Sequence, residues 1–187
     1  MVTVLSLWLP ILVSAVLVFA ASSVIHMFLG YHANDYVAVP GEEVVGASIR
    51  AANVPPGNYM MPYAGSMKVM NTPEFKERMA RGPVAMITVL PSGQTGMGKQ
   101  LASWFVFTIA VSVVAAYVAG RALTPEAEYL EVFRFAGTAA FAAYALGTWS
   151  ESIWYGRKWT TTLKNSADGV VYALITAGVF GWMWPGT

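Results

Sequence analysis

The chain has 187 residues, room for one ordinary domain, and is 56% hydrophobic with only 11% charged residues, where a soluble domain carries about 25%. So little charge cannot coat a water-facing surface, and lipid is expected to cover much of the molecule. A net charge of +1 offers no basic face for nucleic acid, and the absence of cysteine excludes disulfides, thiolate metal sites and cysteine nucleophiles.

The first element is an apolar run at residues 4–29, longer than the ~20 residues a membrane span needs. It lacks the basic start and short apolar core of a signal peptide, and reads as a retained helix. Residues 31–99 follow as an extramembrane segment that is too small to bury a core alone and is expected to pack on the bundle. Within it, Glu42–Asn53 has apolar residues at helical spacing before the Pro55-Pro56-Gly57 turn. Asn71-Thr72-Pro73-Glu74 opens a second helix closed by Gly82, and Pro83–Leu90 reads as extended.

The second span is expected at residues 101–120, between Lys99 and Arg121. The third is expected at 130–149, on a helix that Thr124-Pro125-Glu126 would start with a hydroxyl cap, proline at the first position and acids in the first turn. Glu131 and Arg134 share a face of that helix and predict a structural ion pair. The fourth span is expected at 169–185, with Asp168 at its amino end facing the helix dipole. The fold class is thus an all-α membrane protein, residues 1–187 forming one membrane domain of four transmembrane helices with a small mixed segment between the first two.

Three of these helices place small residues at i, i+4 and i+8: Ser112/Ala116/Gly120, Ala139/Ala143/Gly147 and Ala173/Ala177/Gly181. Such ridges let membrane helices approach closely and predict inner seams. The loop between helices three and four interleaves Trp154 and Trp159 with Arg157 and Lys158, and the chain ends in Trp182 and Trp184. Aromatic and basic residues of this kind anchor at headgroups. Lys99, Arg157, Lys158 and Lys164 outnumber the basic residues on the other side, which places the termini outside and residues 31–99 in the cytoplasm.

Three clusters could carry chemistry. Gly93-Gln-Thr-Gly-Met-Gly98-Lys99-Gln100 nearly matches the phosphate-binding loop, but Gln100 stands where a magnesium-holding hydroxyl belongs and the helix it opens is a membrane span, so nucleotide binding is not expected. His26, His32 and Asp35 lie together where the first helix ends, near Glu42 and Glu43, and form a legitimate ligand set for zinc or another divalent ion, with Ser22 one turn before His26 as an acceptor for its ring N–H. Met60, Met61, Met67 and Met70 suit docking on a partner better than Cu(I). No cofactor is indicated.

Gly147–Pro185, with Ser152-Ile-Trp154-Tyr-Gly156-Arg-Lys-Trp159 and the run from Asp168 to Pro185, resembles small uncharacterised bacterial integral membrane proteins of four helices. The Gly30-Tyr-His32-Ala-Asn-Asp35-Tyr36 loop shares the likeness. It implies a bacterial inner membrane and no particular activity. The leading expectation is a non-catalytic accessory or assembly subunit of a larger membrane complex, or a homo-oligomer, in contact with lipid and with other membrane subunits. Second comes a small transporter or metal-handling protein using His26, His32 and Asp35, and third a membrane enzyme.

Overall fold

The computed structural model describes residues 1–93 and 96–186. In chain order it contains α1 (Trp8–Phe28), α2 (Glu42–Ala51), β1 (Gly57–Met61), α3 (Met67–Met70), α4 (Pro73–Arg81), β2 (Ala85–Val89), α5 (Gly98–Ala122), α6 (Tyr129–Phe141), α7 (Trp149–Tyr155) and α8 (Trp159–Trp182). A 3-10 turn at Val4–Leu7 leads into α1, and a π-helical turn at Ala142–Leu146 prolongs α6. The chain forms two compact units, Met1–Tyr36 with Gly96–Thr187, and Val37–Thr95.

The first unit is a ring of four antiparallel helices in which α1 packs on α5, α5 on α6, α6 on α8 and α8 on α1. Two of its segments, Val4–Phe28 and Gly98–Ala122, are long and apolar enough to cross a membrane, with mean hydropathies of 2.5 and 2.1. The other two expected spans do not meet that standard among the described residues. Helix α6 has 13 residues before the π turn, and α8 carries Lys164, Asn165 and Asp168 in its first half.

The unit's interior joins an apolar core that includes Leu7, Val18, Val132, Phe180 and Trp184 with small hydroxyl residues, and aliphatic side chains also cover its outside. Ser14, Ser22, Thr108, Ser112 and Thr176 are buried beside alanines, while Leu12, Val16, Leu17, Val106, Val114 and Leu174 face outward. The hydroxyls are satisfied: Ser14 donates to the Pro10 carbonyl at 2.7 Å and shares a 2.9 Å hydrogen bond with Ser112 Oγ, and Thr176 donates to the Tyr172 carbonyl. Small interior residues bring backbones together. The Val2 amide donates to the Gly120 carbonyl at 2.8 Å, and a Cβ on Gly120 would lie 2.5 Å from the Val2 oxygen.

Two helix starts differ from the sequence expectation. Thr124 accepts one turn bond from the Ala127 amide, but α6 begins at Tyr129. Glu128 is its cap, in a reciprocal box with Glu131 that satisfies two terminal amides where a hydroxyl would satisfy one. Helix α8 begins at Trp159, so Asp168 lies mid-helix and not at an amino end. The polar stretch Thr160–Ser166 is helical because α-helix needs only internal backbone bonds, whatever the solvent around it.

In the second unit β1 and β2 pair antiparallel, with Met60 opposite Met86. Helix α4 follows the sequence reading: Thr72 caps it, Pro73 opens it, and Gly82 closes it at φ +64°. Helix α2 and strand β2 also lie where expected. Strand β1 was not anticipated, because its Gly-Asn-Tyr-Met-Met sequence has no β-branched residue. Phe75 is the only large hydrophobic side chain buried among this unit's described residues.

Candidate metal centre

At the end of α1 the chain reverses at Gly30, whose φ of +66° few other residues adopt. Two tight turns follow, closed by Ala33 N–H to the Gly30 carbonyl and Asp35 N–H to the His32 carbonyl. They fold Tyr31, His32 and Asp35 against one face of α8, where Thr161, Lys164 and Asp168 recur at helical spacing.

His26, His32 and Asp168 offer ligand atoms that all lie within 4.8 Å of one another. Asp168 is the buried centre, 4% exposed. Its Oδ2 lies 2.8 Å from His32 Nε2 and 3.9 Å from His26 Nε2; its Oδ1 accepts the Tyr31 hydroxyl. The two imidazoles lie with centroids 4.5 Å apart. On its other side His32 Nδ1 meets Asp35 Oδ2 at 2.6 Å. Asp35 Oδ1 accepts from Lys164 Nζ at 2.9 Å and from Thr161 Oγ1 at 3.3 Å, and Lys164 also donates to the Tyr31 carbonyl. Burial would raise the Asp35 carboxyl, but the hydrogen bonds from His32 and Lys164 and their charges outweigh it and hold it at about 2.

Both ring nitrogens of His32 lie within hydrogen-bond distance of a carboxyl oxygen, Nδ1 at Asp35 and Nε2 at Asp168. With Nδ1–H donating to Asp35, a cation could take the place of the proton between Nε2 and Asp168. A tetrahedral zinc ion with N and O ligands at about 2.0–2.2 Å separates them by roughly 3.3–3.5 Å. The observed 2.8 and 3.9 Å bracket that value. Asp35 lies on the far nitrogen of His32, the place an outer carboxylate takes in carboxylate–histidine–metal arrangements.

His26 and His32 lie side by side, and of the expected set Asp35 meets His32 alone, while Asp168 lies near both rings. Asp35 is spent on His32 Nδ1 and Lys164, and Asp168, 133 residues further on, faces both rings. Its signal was present: it is the sole acid in the last 36 residues, within an otherwise apolar segment. Tyr31 and Lys164 carried no such signal. Ser22 does not hold His26, since its hydroxyl accepts from Trp104 Nε1 at 2.8 Å. Glu42 and Glu43 belong to the second unit, in the first turn of α2.

Beside the centre a cavity of about 540 Å³ is lined by His26, Asp168, Trp104, Phe107, Tyr144, Tyr172 and the Arg157 and Glu151 side chains among others. Tyr144 comes from the π turn, a distortion frequent at functional sites. Gly169 permits that approach: a Cβ there would lie 2.6 Å from the Tyr144 backbone. The Tyr144 and Tyr172 hydroxyls are buried without a hydrogen-bond partner among the described residues.

The remaining expected residues are placed as follows. Ser112, Ala116, Gly120, Ala173, Ala177 and Gly181 are buried, Ala139 and Ala143 are half-buried, and Gly147 is exposed; α6 turns Val132, Ala136 and Ala140 inward instead. Trp154, Trp159, Lys158 and Trp182 are exposed and Arg157 is half-buried. Trp184 is buried, its Nε1 donating to the Thr124 carbonyl at 2.9 Å. Glu131 bonds to the Glu128 amide, and no Glu131–Arg134 ion pair exists among the described residues. Met60, Met61, Met67 and Met70 are exposed in the second unit. Of the glycine-rich turn, Gln94 and Thr95 lie outside the described residues, while Gly98, Lys99 and Gln100 open α5. Comparison with protein-family models, with curated proteins and with solved structures gave no match, so neither source nor activity comes from relatives.

Proposed function

We propose that this chain is a multi-pass membrane protein that binds a divalent transition metal at His26, His32 and Asp168. One observation carries the reading: a buried carboxylate and two imidazoles converge, and the outer nitrogen of His32 is held by a second carboxylate. A closed salt-bridge network would need only one histidine. Here His26 stacks on His32 and turns its Nε2 to the same oxygen. Imidazole with carboxylate suits Zn²⁺, and also Fe²⁺, Ni²⁺ or Cu²⁺ by softness alone. Three protein ligands leave a coordination position open, as in reactive rather than purely structural sites.

In this reading all four helices of the ring cross the bilayer, α6 with its π turn and α8 with its apolar second half. The aliphatic side chains on the outside support it, together with the alanines and small hydroxyl residues at the helix contacts, which membrane helices use to approach closely. The excess of Lys and Arg near the His26 end supports a cytoplasmic location for that end and for residues 31–99. The membrane of a bacterial cell is the proposed setting.

Elemental analysis and titration calorimetry of the detergent-purified protein test the metal. Zinc should bind in a single equivalent and be lost in His26→Ala, His32→Ala and Asp168→Asn. Retention by all three would sink the reading.

A second reading, an accessory subunit of a larger complex, is favoured by the second unit. With Phe75 as its one large buried apolar side chain and Val44, Tyr63, Met67 and Leu90 exposed, it has too little core to hold itself together and calls for a protein partner. Stoichiometric partners after mild extraction would support that role; a partner-free monomer would exclude it.

A further inference from the structure

The cavity beside the His26/His32/Asp168 cluster mixes two kinds of lining. Trp104, Phe107, Tyr144 and Tyr172 supply aromatic surface, Trp104 being inclined to Tyr144 and Tyr172 by 55° and 62° with centroids 6.2 and 6.0 Å away. His26, Asp168, Arg157 and Glu151 supply polar and charged groups to the same lining.

Most of the groups there that await a partner are donors. The Tyr144 and Tyr172 side chains are 5% and 4% exposed and their hydroxyls are unpartnered. Arg157 makes no ion pair among the described residues. A metal ion held by His26, His32 and Asp168 would add an open Lewis-acidic position. Buried phenols left unpaired are destabilising, so a fold that keeps two of them together is retaining them for something that fills the space. Water alone does not need the aromatic surface, which suits a ring. The volume lies within the range of about 300–1,000 Å³ usual for small-molecule sites.

We infer that this cavity binds a small aromatic monocarboxylate, its carboxylate on the metal and within reach of the Arg157 charge, its ring against Trp104, with a carboxylate oxygen or a ring substituent accepting from the tyrosines. The inference rests on the metal reading and names the ligand class for that same centre.

The test uses full-length protein in lipid nanodiscs, first titrated with Zn²⁺ alone and then, zinc-loaded, with benzohydroxamate, acetohydroxamate and benzoate. Benzohydroxamate, a chelating analogue of the acid, should bind at least about tenfold more tightly than acetohydroxamate, because only the former reaches the aromatic surface. Tyr144→Phe/Tyr172→Phe and Arg157→Gln should each weaken benzoate about tenfold or more while leaving zinc affinity unchanged. Equal binding of the two hydroxamates, or full benzoate affinity in both variants, overturns the inference and leaves the metal centre standing. If zinc fails to bind, the metal reading falls; benzoate that still binds and is lost in the tyrosine double variant then upholds the ligand class without the metal, and benzoate that does not bind ends both.

Discussion

The two ends of the helical ring are built on opposite terms. At the end holding Val2, Gly120, Tyr129 and Trp184, the chain packs too closely for added side chains. Gly120 meets the Val2 backbone, Gly181 the Tyr129 ring and Gly186 the Pro125 backbone, each at a distance that admits no Cβ. Polar groups there are paired, as with Trp184 and the Thr124 carbonyl or the Glu128/Glu131 box. At the end holding His26 and Asp168 a close contact remains, Gly169 on the Tyr144 backbone, but it lies beside open space. A π turn interrupts the ladder after α6, a cavity opens, and two phenols lie buried without partners. Titratable side chains from α1, its following turn and α8 crowd one carboxylate. Regular packing with every donor used is how a fold gains stability. Open space with unused donors lowers it and is tolerated where something else is to be bound.

This contrast predicts that substitutions at the first end act on stability and those at the second on binding. The largest effect should come from Gly120→Ala. Its methyl would have to displace the Val2 backbone, which cannot yield as a flexible side-chain tip would, and overpacking of this kind costs about 1–3 kcal/mol. Thermal unfolding in detergent should show a clear fall in Tm, with the zinc affinity of the surviving fold unchanged. A Gly120→Ala protein as stable as the parent would mean that this end is not tightly seated.

Asp35→Asn should lower zinc affinity about 10- to 100-fold, the usual consequence of removing an outer-sphere partner of a ligating histidine, read by competition with a chromophoric chelator. Asn would keep the size of the side chain and lose the charge that orients the His32 N–H and pairs with Lys164. The reverse sign is expected of Tyr144→Phe and Tyr172→Phe. Each deletes a buried hydroxyl with no partner and should stabilise the ligand-free protein by up to about 1 kcal/mol. Loss of stability instead would show that these hydroxyls are satisfied in solution, and the contrast between the ends would shrink to one of shape.

How much of this could be read from residue order follows from what is local. The apolar runs that became α1 and α5 announce themselves by composition, and Thr72, Pro73 and Gly82 set the bounds of α4 through their own backbone preferences. His26 and His32 were grouped because a helix end and a short loop keep them close. Asp168 was not, since its approach depends on α8 lying against α1, and on the helix having begun ten residues earlier than its apolar stretch. The π turn is likewise a product of packing: Gly169 admits the Tyr144 backbone, and neither residue predicts this alone. The inward seam of α6 shows the limit most clearly. Ala139/Ala143/Gly147 and Val132/Ala136/Ala140 both satisfy the spacing, and only the neighbouring helices decide which set turns inward.

The smallest predicted effect bears on which solvent surrounds the closed contacts. Ser14 and Ser112 are both fully buried and joined across α1 and α5 at 2.9 Å. In a protein folded in water, losing one partner of such a pair strands a buried hydroxyl at a cost of about 1–3 kcal/mol. Here Ser14 also donates toward the Pro10 and Ile11 carbonyls of its own helix, so truncating Ser112 leaves it satisfied. In lipid the separated helices would meet the same local acceptors, and coupling between such pairs averages about 0.6 kcal/mol. A double-mutant cycle of Ser14→Ala and Ser112→Ala, followed by unfolding in mixed micelles, should therefore return a coupling below about 1 kcal/mol. A coupling of several kcal/mol would mean that the hydroxyls hold the helices together by themselves, and that the small-residue contact between α1 and α5 contributes less than its geometry implies.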